Sequence, residues 1–94
     1  MKILEDLRDR YDSRMRAVKY SNSIDLFQKN RGARFMVNKV IRDVKSGMPI
    51  KDAIMRREKM LDLTISGLRG GRTTPFLSGQ RKALEDIREN IKFW

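Results

Sequence analysis

Basic side chains concentrate in the middle of this chain, and no other residue type in it has chemistry as distinctive. Residues 31–72 hold eleven lysines and arginines against four acidic residues, a net charge of +7 out of the +10 carried by all 94 residues. Guanidinium and ammonium groups bind phosphate through charge and hydrogen bonds. A positive field concentrated on one folded region is typical of proteins that bind a phosphate backbone. The composition therefore favours nucleic acid as the partner.

The residue types that most enzymes and metal sites depend on are missing from this chain. The chain has no His and no Cys, which removes the commonest general base, the commonest metal ligand and every thiolate. Seven carboxylates cluster towards the two ends of the chain: Glu5, Asp6, Asp9, Asp12, Glu85, Asp86 and Glu89. Lysines and arginines are interleaved with both groups, so we interpret them as solvated, charge-paired helix faces. We expect no enzyme activity, no cofactor and no bound metal.

The hydrophobic pattern predicts which elements carry these charges. Apolar residues recur every three or four positions, and no stretch alternates as a strand does. The pattern predicts an all-α fold, a compact bundle of about five to six short helices in a single domain, 1–94. The helices are expected at about residues 3–20, 33–46, 49–60 and 63–69, with a last helix that opens at Thr74-Pro75. A short second helix is expected to hold Ile24, Leu26 and Phe27 and to end at Lys29–Gly32.

Small and polar residues predict where these helices begin and end. Ser23 is a plausible N-cap for the short second helix, and Asp62 for the helix 63–69. Glycines predict helix ends at Gly32, at Gly47 and at Gly70-Gly71. Pro49 is predicted to lie in the first turn of the next helix, a position that favours proline.

Apolar stripes predict the core. The first helix carries Ile3, Leu7, Tyr11, Met15 and Val18 on one face. The third carries Phe35 or Met36, Val37, Val40, Ile41 and Val44; the fourth Ile50, Ala53, Ile54 and Met60, with Leu61 just beyond; and the last Leu84, Ile87, Ile91 and Trp94.

The stretch from Thr64 to Pro75 resembles the recognition helix and following loop of Cro/CI-type repressors, the lambda-repressor-like helix-turn-helix family. That family often shows a Thr-Ile-Ser start, an apolar residue four positions after the Thr, a Gly seven after it, a basic residue next, and a Pro eleven after it. This chain has Leu68, Gly71, Arg72 and Pro75 at those positions.

The resemblance extends upstream over about residues 33–92, with residues 1–32 as an N-terminal helical extension. Residues 41–47 look like the end of the family's first helix, and residues 49–54 look like the start of its second. The chain departs from the family at Lys59–Asp62, where the tight turn usually contains a Gly, and an extra residue is needed there. The order of Ala53 and Ile54 is also reversed.

The resemblance implies a small sequence-specific DNA-binding regulator, repressor-like, compatible with a phage-encoded protein. It places base contacts at Thr64, Ser66 and Arg69, and phosphate contacts at Arg72, Thr73 and Thr74. Further nucleic-acid contacts are expected from Lys45, Arg56, Arg57, Lys59, Gln80, Arg81 and Lys82. Such proteins are commonly dimers, and the first helix or the Trp94 end would supply the pairing surface.

Two alternatives stay open. One is a basic helical interaction protein, such as a viral or host-directed inhibitor or an assembly factor, that docks on an acidic protein partner with Tyr11, Phe76 and Trp94 as apolar anchors. The other is RNA binding. Phe35 is the only aromatic residue within residues 31–72, and its place in an apolar face suggests core, which argues against a stacking platform for single strands.

The apolar runs are short and interrupted by charge, so no transmembrane helix and no secretory signal are expected. The sequence therefore predicts a soluble, cytoplasmic protein.

Overall fold

Four α-helices account for nearly all of the computed structural model, which describes residues 2–19, 24–68 and 73–91, without the side chains of residues 18 and 19. They are α1 (Lys2–Lys19), α2 (Ile24–Lys45), α3 (Ile50–Ser66) and α4 (Pro75–Asn90). The all-α prediction is confirmed, since these residues form no strand. The expected five to six helices are wrong, because two predicted breaks lie inside continuous helices.

The long helix α2 lies at the centre and packs against the other three. Its most extensive interfaces are with α4 and α1. Buried apolar residues from all four helices form one core: Leu4, Leu7, Tyr11, Ala33, Met36, Val37, Val40, Ile41, Ala53, Ile54, Leu61, Ala83, Leu84, Ile87 and Ile91.

Gly32 does not end a helix. It lies inside α2, and the predicted second and third helices are one. A Cβ atom on Gly32 would overlap the carbonyl oxygen of Phe76 in α4, and one on Gly79 of α4 would overlap the carbonyl oxygen of Lys29 in α2. The two glycines thus let the α2 and α4 backbones touch, which is a packing role.

The predicted turn at Lys59–Asp62 is also absent, because α3 runs without interruption from Ile50 to Ser66. Leu61 is buried in the core at this point, so the continuous helix buries an apolar side chain that a turn would displace. The Asp62 carboxylate caps no helix and instead accepts a hydrogen bond from Arg81 at 3.0 Å. No separate helix begins at residue 63.

Other predicted boundaries are confirmed. Gly47 follows α2 with a φ of +104°, the left-handed region that favours glycine. The Thr74 hydroxyl accepts a hydrogen bond from the Leu77 N–H at 3.2 Å and caps α4. Pro49 is the N-cap of α3, one position before the first turn. The boundaries proposed at Ser23 and at Gly70-Gly71 lie outside the described residues.

The apolar stripe of α1 is core, with Leu7 and Tyr11 buried, although Leu4 takes the inward position expected of Ile3. Tyr11 is only 1% exposed, so it cannot anchor a protein partner as the alternative hypothesis required. Its hydroxyl donates to the Asp86 carboxylate and links α1 to α4. Burial and this hydrogen bond raise the pKa of Tyr11.

A bidentate ion pair joins α2 to α3. The Arg57 guanidinium donates to both oxygens of Asp43, at 2.7 and 2.8 Å. The two side chains are 14% and 8% exposed. Hydrogen bonding from Arg57 lowers the pKa of Asp43 against the opposing effect of burial.

None of the described helices has the length and apolar character needed to cross a membrane.

Candidate nucleic-acid interface

The outward side of α2 carries cations and no carboxylate between residues 31 and 45. Residues three or four apart share a helix face, which brings five of them to the side away from the core. We call this set the basic face: Arg31, Arg34, Lys39, Arg42 and Lys45. At 1.5 Å per residue it extends about 21 Å along the helix. The two acidic residues of α2 lie elsewhere, since Asp25 is at its start and Asp43 is buried against α3.

Within the described part of the chain, four of these five cations form no ion pair. Arg34 lies 3.0 Å from the Asp12 carboxylate of α1. Among the described residues, no carboxylate pairs with Arg31, Lys39, Arg42 or Lys45. The outward side of α1 differs because its arginines alternate with acidic residues. The outward side of α2 therefore carries more uncompensated positive charge than the outward side of α1.

Phe35 lies exposed beside this face. It is 43% exposed, so the expectation that it belongs to the core is wrong. Its neighbour Met36 takes the inward position instead and is buried. The Phe35 ring contacts the Phe76 ring of α4, with centroids 5.4 Å apart and planes tilted by 52°.

Basic groups lie over both rings of this aromatic pair. The Lys39 ammonium is 5.1 Å from the centroid of Phe35, and the Arg31 guanidinium is 5.6 Å from that of Phe76. Cations gain electrostatic attraction from the negative face of an aromatic ring. The arrangement alternates aromatic surface with positive charge, which is the pattern that single-strand-binding proteins use.

A groove of about 350 Å³ opens where α2, α3 and α4 meet, and Phe35 forms one wall. Met60 and Leu77 add apolar surface, and Lys39 and Gln80 add polar groups. Gln80 is only 7% exposed, yet within the described part of the chain its amide has no hydrogen-bond partner. Because Gln80 lines the groove and its amide makes no bond to the described residues, a group that enters the groove can bond to this amide.

Besides Arg56, five of the residues predicted to bind nucleic acid have partners within the protein. Arg57 is held by Asp43, Arg81 by Asp62 and Lys82 by Asp86. The Thr64 hydroxyl donates to the Met60 carbonyl oxygen at 2.9 Å, although it also lines the groove. Thr74 is the N-cap of α4.

The remaining predicted residues are scattered. Lys45 belongs to the basic face, whereas Arg56 and Lys59 lie on the exposed side of α3. Arg56 is 3.8 Å from Asp43. Ser66 and Thr73 are exposed at the ends of the segment joining α3 to α4. Arg69 and Arg72, the leading base and phosphate contacts of the repressor resemblance, lie outside the described residues, as does Trp94.

The sequence prediction missed Arg31, Phe35, Lys39 and Arg42 as site residues. Only Arg31 depends on α2 being continuous through residue 32, since Phe35, Lys39 and Arg42 all lie within the helix predicted at 33–46. Phe35 was missed because its place in the apolar face suggests core. Arg42 and Lys39 could be assigned to one exposed side only once the tertiary structure showed that the neighbouring Asp43 is buried.

No group of acidic side chains among the described residues is arranged to hold a metal ion. Comparison with protein-family models, with curated proteins and with solved structures finds no match to this chain.

Proposed function

We propose that this protein binds nucleic acid, with the basic face of α2 against the phosphate backbone. The observation that carries the proposal is the row of cations from Arg31 to Lys45, uninterrupted by any exposed carboxylate. Their charges are held by a helix fixed against three others, so binding does not require a disordered segment to fold. Phosphates that meet this face release counterions, which makes the affinity strongly salt-dependent.

Transcriptional regulation on double-stranded DNA is one use of such binding, and it is the use that the repressor resemblance favours. As a repressor, this protein would dock on DNA with a geometry other than that of the helix-turn-helix, because α3 is continuous where that motif has its turn. The exposed face of α2 is the helix surface best placed to lie along a nucleic-acid groove or strand. An operator, if one exists, is found by selecting bound sequences from a random duplex library at physiological salt.

Replacing Arg42 with alanine tests the proposal. Arg42 is exposed and makes no ion pair among the described residues, and alanine favours helix, so the fold is expected to persist. Loss of one phosphate contact lowers the slope of log affinity against log salt by about 0.7 to 0.9. Fluorescence anisotropy of a labelled oligonucleotide, measured across a salt series, gives that slope.

Arg16→Ala is the matched control, since it removes the same charge from the outward side of α1. It is expected to leave the slope unchanged. If Arg42→Ala and Arg16→Ala lowered the salt slope equally, binding would depend on the net charge of the protein and not on the basic face. A polyglutamate competitor as effective as nucleic acid at equal charge would favour the acidic-protein alternative.

A further inference from the structure

We propose that the groove between α2, α3 and α4 binds one unpaired nucleobase of a single strand, stacked on Phe35 and contacted at its edge by Gln80. This inference rests on the proposed function and names its substrate class: single-stranded nucleic acid, DNA or RNA. Three independent observations support it: the exposed Phe35 ring, the Gln80 amide that lines the groove without a partner among the described residues, and the flanking cations Arg31 and Lys39, which pair with no described carboxylate.

The Phe35 ring is suited to stacking. Nearly half of it is exposed although it is a large apolar group, and Phe76 holds it from the side. Every nucleobase has an apolar face that gains by covering such a ring. In a duplex those faces are already covered by neighbouring base pairs, so only an unpaired base can use the site.

Lys39 lies over the Phe35 ring in the free protein. Its flexible side chain can move aside and leave the ring to a base. An exposed cation–π contact is weaker than the stacking of a base on an aromatic ring. A base that enters the groove therefore displaces the ammonium group from Phe35. The phosphates on either side of the base then give Lys39 and Arg31 stronger, charged partners.

Gln80 supplies the polar contact. Its amide has one acceptor oxygen and two donor hydrogens, and its carbonyl and NH₂ groups match the donor–acceptor pairs at the edges of bases. The groove volume of about 350 Å³ is at the small end of the range for ligand sites, which suits one base and its sugar.

The test compares an ordinary single strand with an abasic strand of equal length and charge. The wild-type protein is expected to bind the ordinary strand about tenfold more tightly, because a stacked base is lost from the abasic one. Phe35→Ala is expected to remove that difference while leaving abasic-strand affinity unchanged. Matched strands of DNA and RNA show which of the two the site prefers.

Met55→Ala is the control for Phe35→Ala. Met55 is also about half exposed, but it lies on α3 and does not line the groove. It is expected to preserve the preference for the ordinary strand. Equal binding of ordinary and abasic strands by the wild-type protein, with the Arg42 effect intact, would overturn this inference and leave the proposed function standing. Absence of binding to any strand would overturn both.

Gln80→Met tests the edge contact, since methionine has similar length and no hydrogen-bonding amide. The four homopolymeric strands are expected to bind the wild-type protein with unequal affinity and the variant with nearly equal affinity. An unchanged order of preference would exclude Gln80 from base contact. Circular dichroism of each variant establishes that the helices are retained.

Discussion

Replacing Gly79 with alanine is expected to destabilise the protein by about 3 kcal/mol or more, a cost at the upper end for overpacked interiors. The added Cβ atom meets the backbone of Lys29, which cannot rotate away as a side chain would. The helices α2 and α4 must therefore separate along the most extensive interface of the fold. The higher helix propensity of alanine opposes this loss of stability, since alanine in a helix is favoured over glycine by about 1 kcal/mol. Urea denaturation followed by circular dichroism measures the difference.

Gly67→Ala is the matched control. Gly67 ends α3 with a φ of −77°, and a Cβ atom there meets only the Thr64 and Leu63 carbonyl oxygens, at 3.5 and 3.6 Å. These are ordinary contacts, so the change in unfolding free energy is expected to be within about 0.5 kcal/mol. If Gly79→Ala were as stable as Gly67→Ala, the close crossing of α2 and α4 would be wrong.

Replacing Asp43 with alanine is expected to cost about 3 kcal/mol of stability, because it leaves the largely buried Arg57 guanidinium without its bidentate partner. Removing both members of a buried pair is far less damaging than removing one. The double variant Asp43→Ala/Arg57→Met should therefore recover much of the loss. Asp62→Ala breaks the exposed pair with Arg81 and is expected to cost less than about 1 kcal/mol. Thermal unfolding of the four proteins tests this order.

The ion pair between Asp43 and Arg57 also makes the unfolding free energy depend on pH. Because the pKa of Asp43 is lowered in the folded state, the unfolded chain takes up a proton at this carboxyl before the folded protein does. The stabilisation is present above about pH 4, the ordinary pKa of Asp, and is lost as the pH falls below it. The unfolding free energy of Asp43→Ala should then fall less steeply below that pH than the wild-type value. Parallel acid titrations would contradict the ion pair.

The pattern of apolar residues predicted the helical class and most of the core, since burial of one face is encoded in spacing alone. Thr74-Pro75 and Gly47 gave correct boundaries because capping and left-handed geometry are local. Gly32 was misinterpreted because the same residue type serves helix ends and close helix crossings. Only the position of Phe76 on another helix distinguishes the two roles.

The candidate site was harder to predict because it depends on which side of each helix faces outward. Phe35 and Met36 both fit the edge of an apolar stripe, and packing against α3 and α4 selected Met36 for the core. Arg57 looks like any other cation in the sequence until Asp43 is placed opposite it. Gln80 lies in a charged stretch, and only the tertiary structure shows that its largely buried side chain lines the groove.

We propose the basic face of α2 and the adjacent groove as one nucleic-acid-binding surface. Its most direct test is an NMR titration of ¹⁵N-labelled protein with a single-stranded oligonucleotide at an ionic strength of about 0.1 M, where surface charges are screened beyond about 10 Å. We expect the largest changes in amide chemical shift between Arg31 and Lys45, with further changes at Thr64 and Gln80. The amide signals around Arg16 are expected to stay in place. Shifts that are largest on the outward side of α1, or absent throughout, would contradict it.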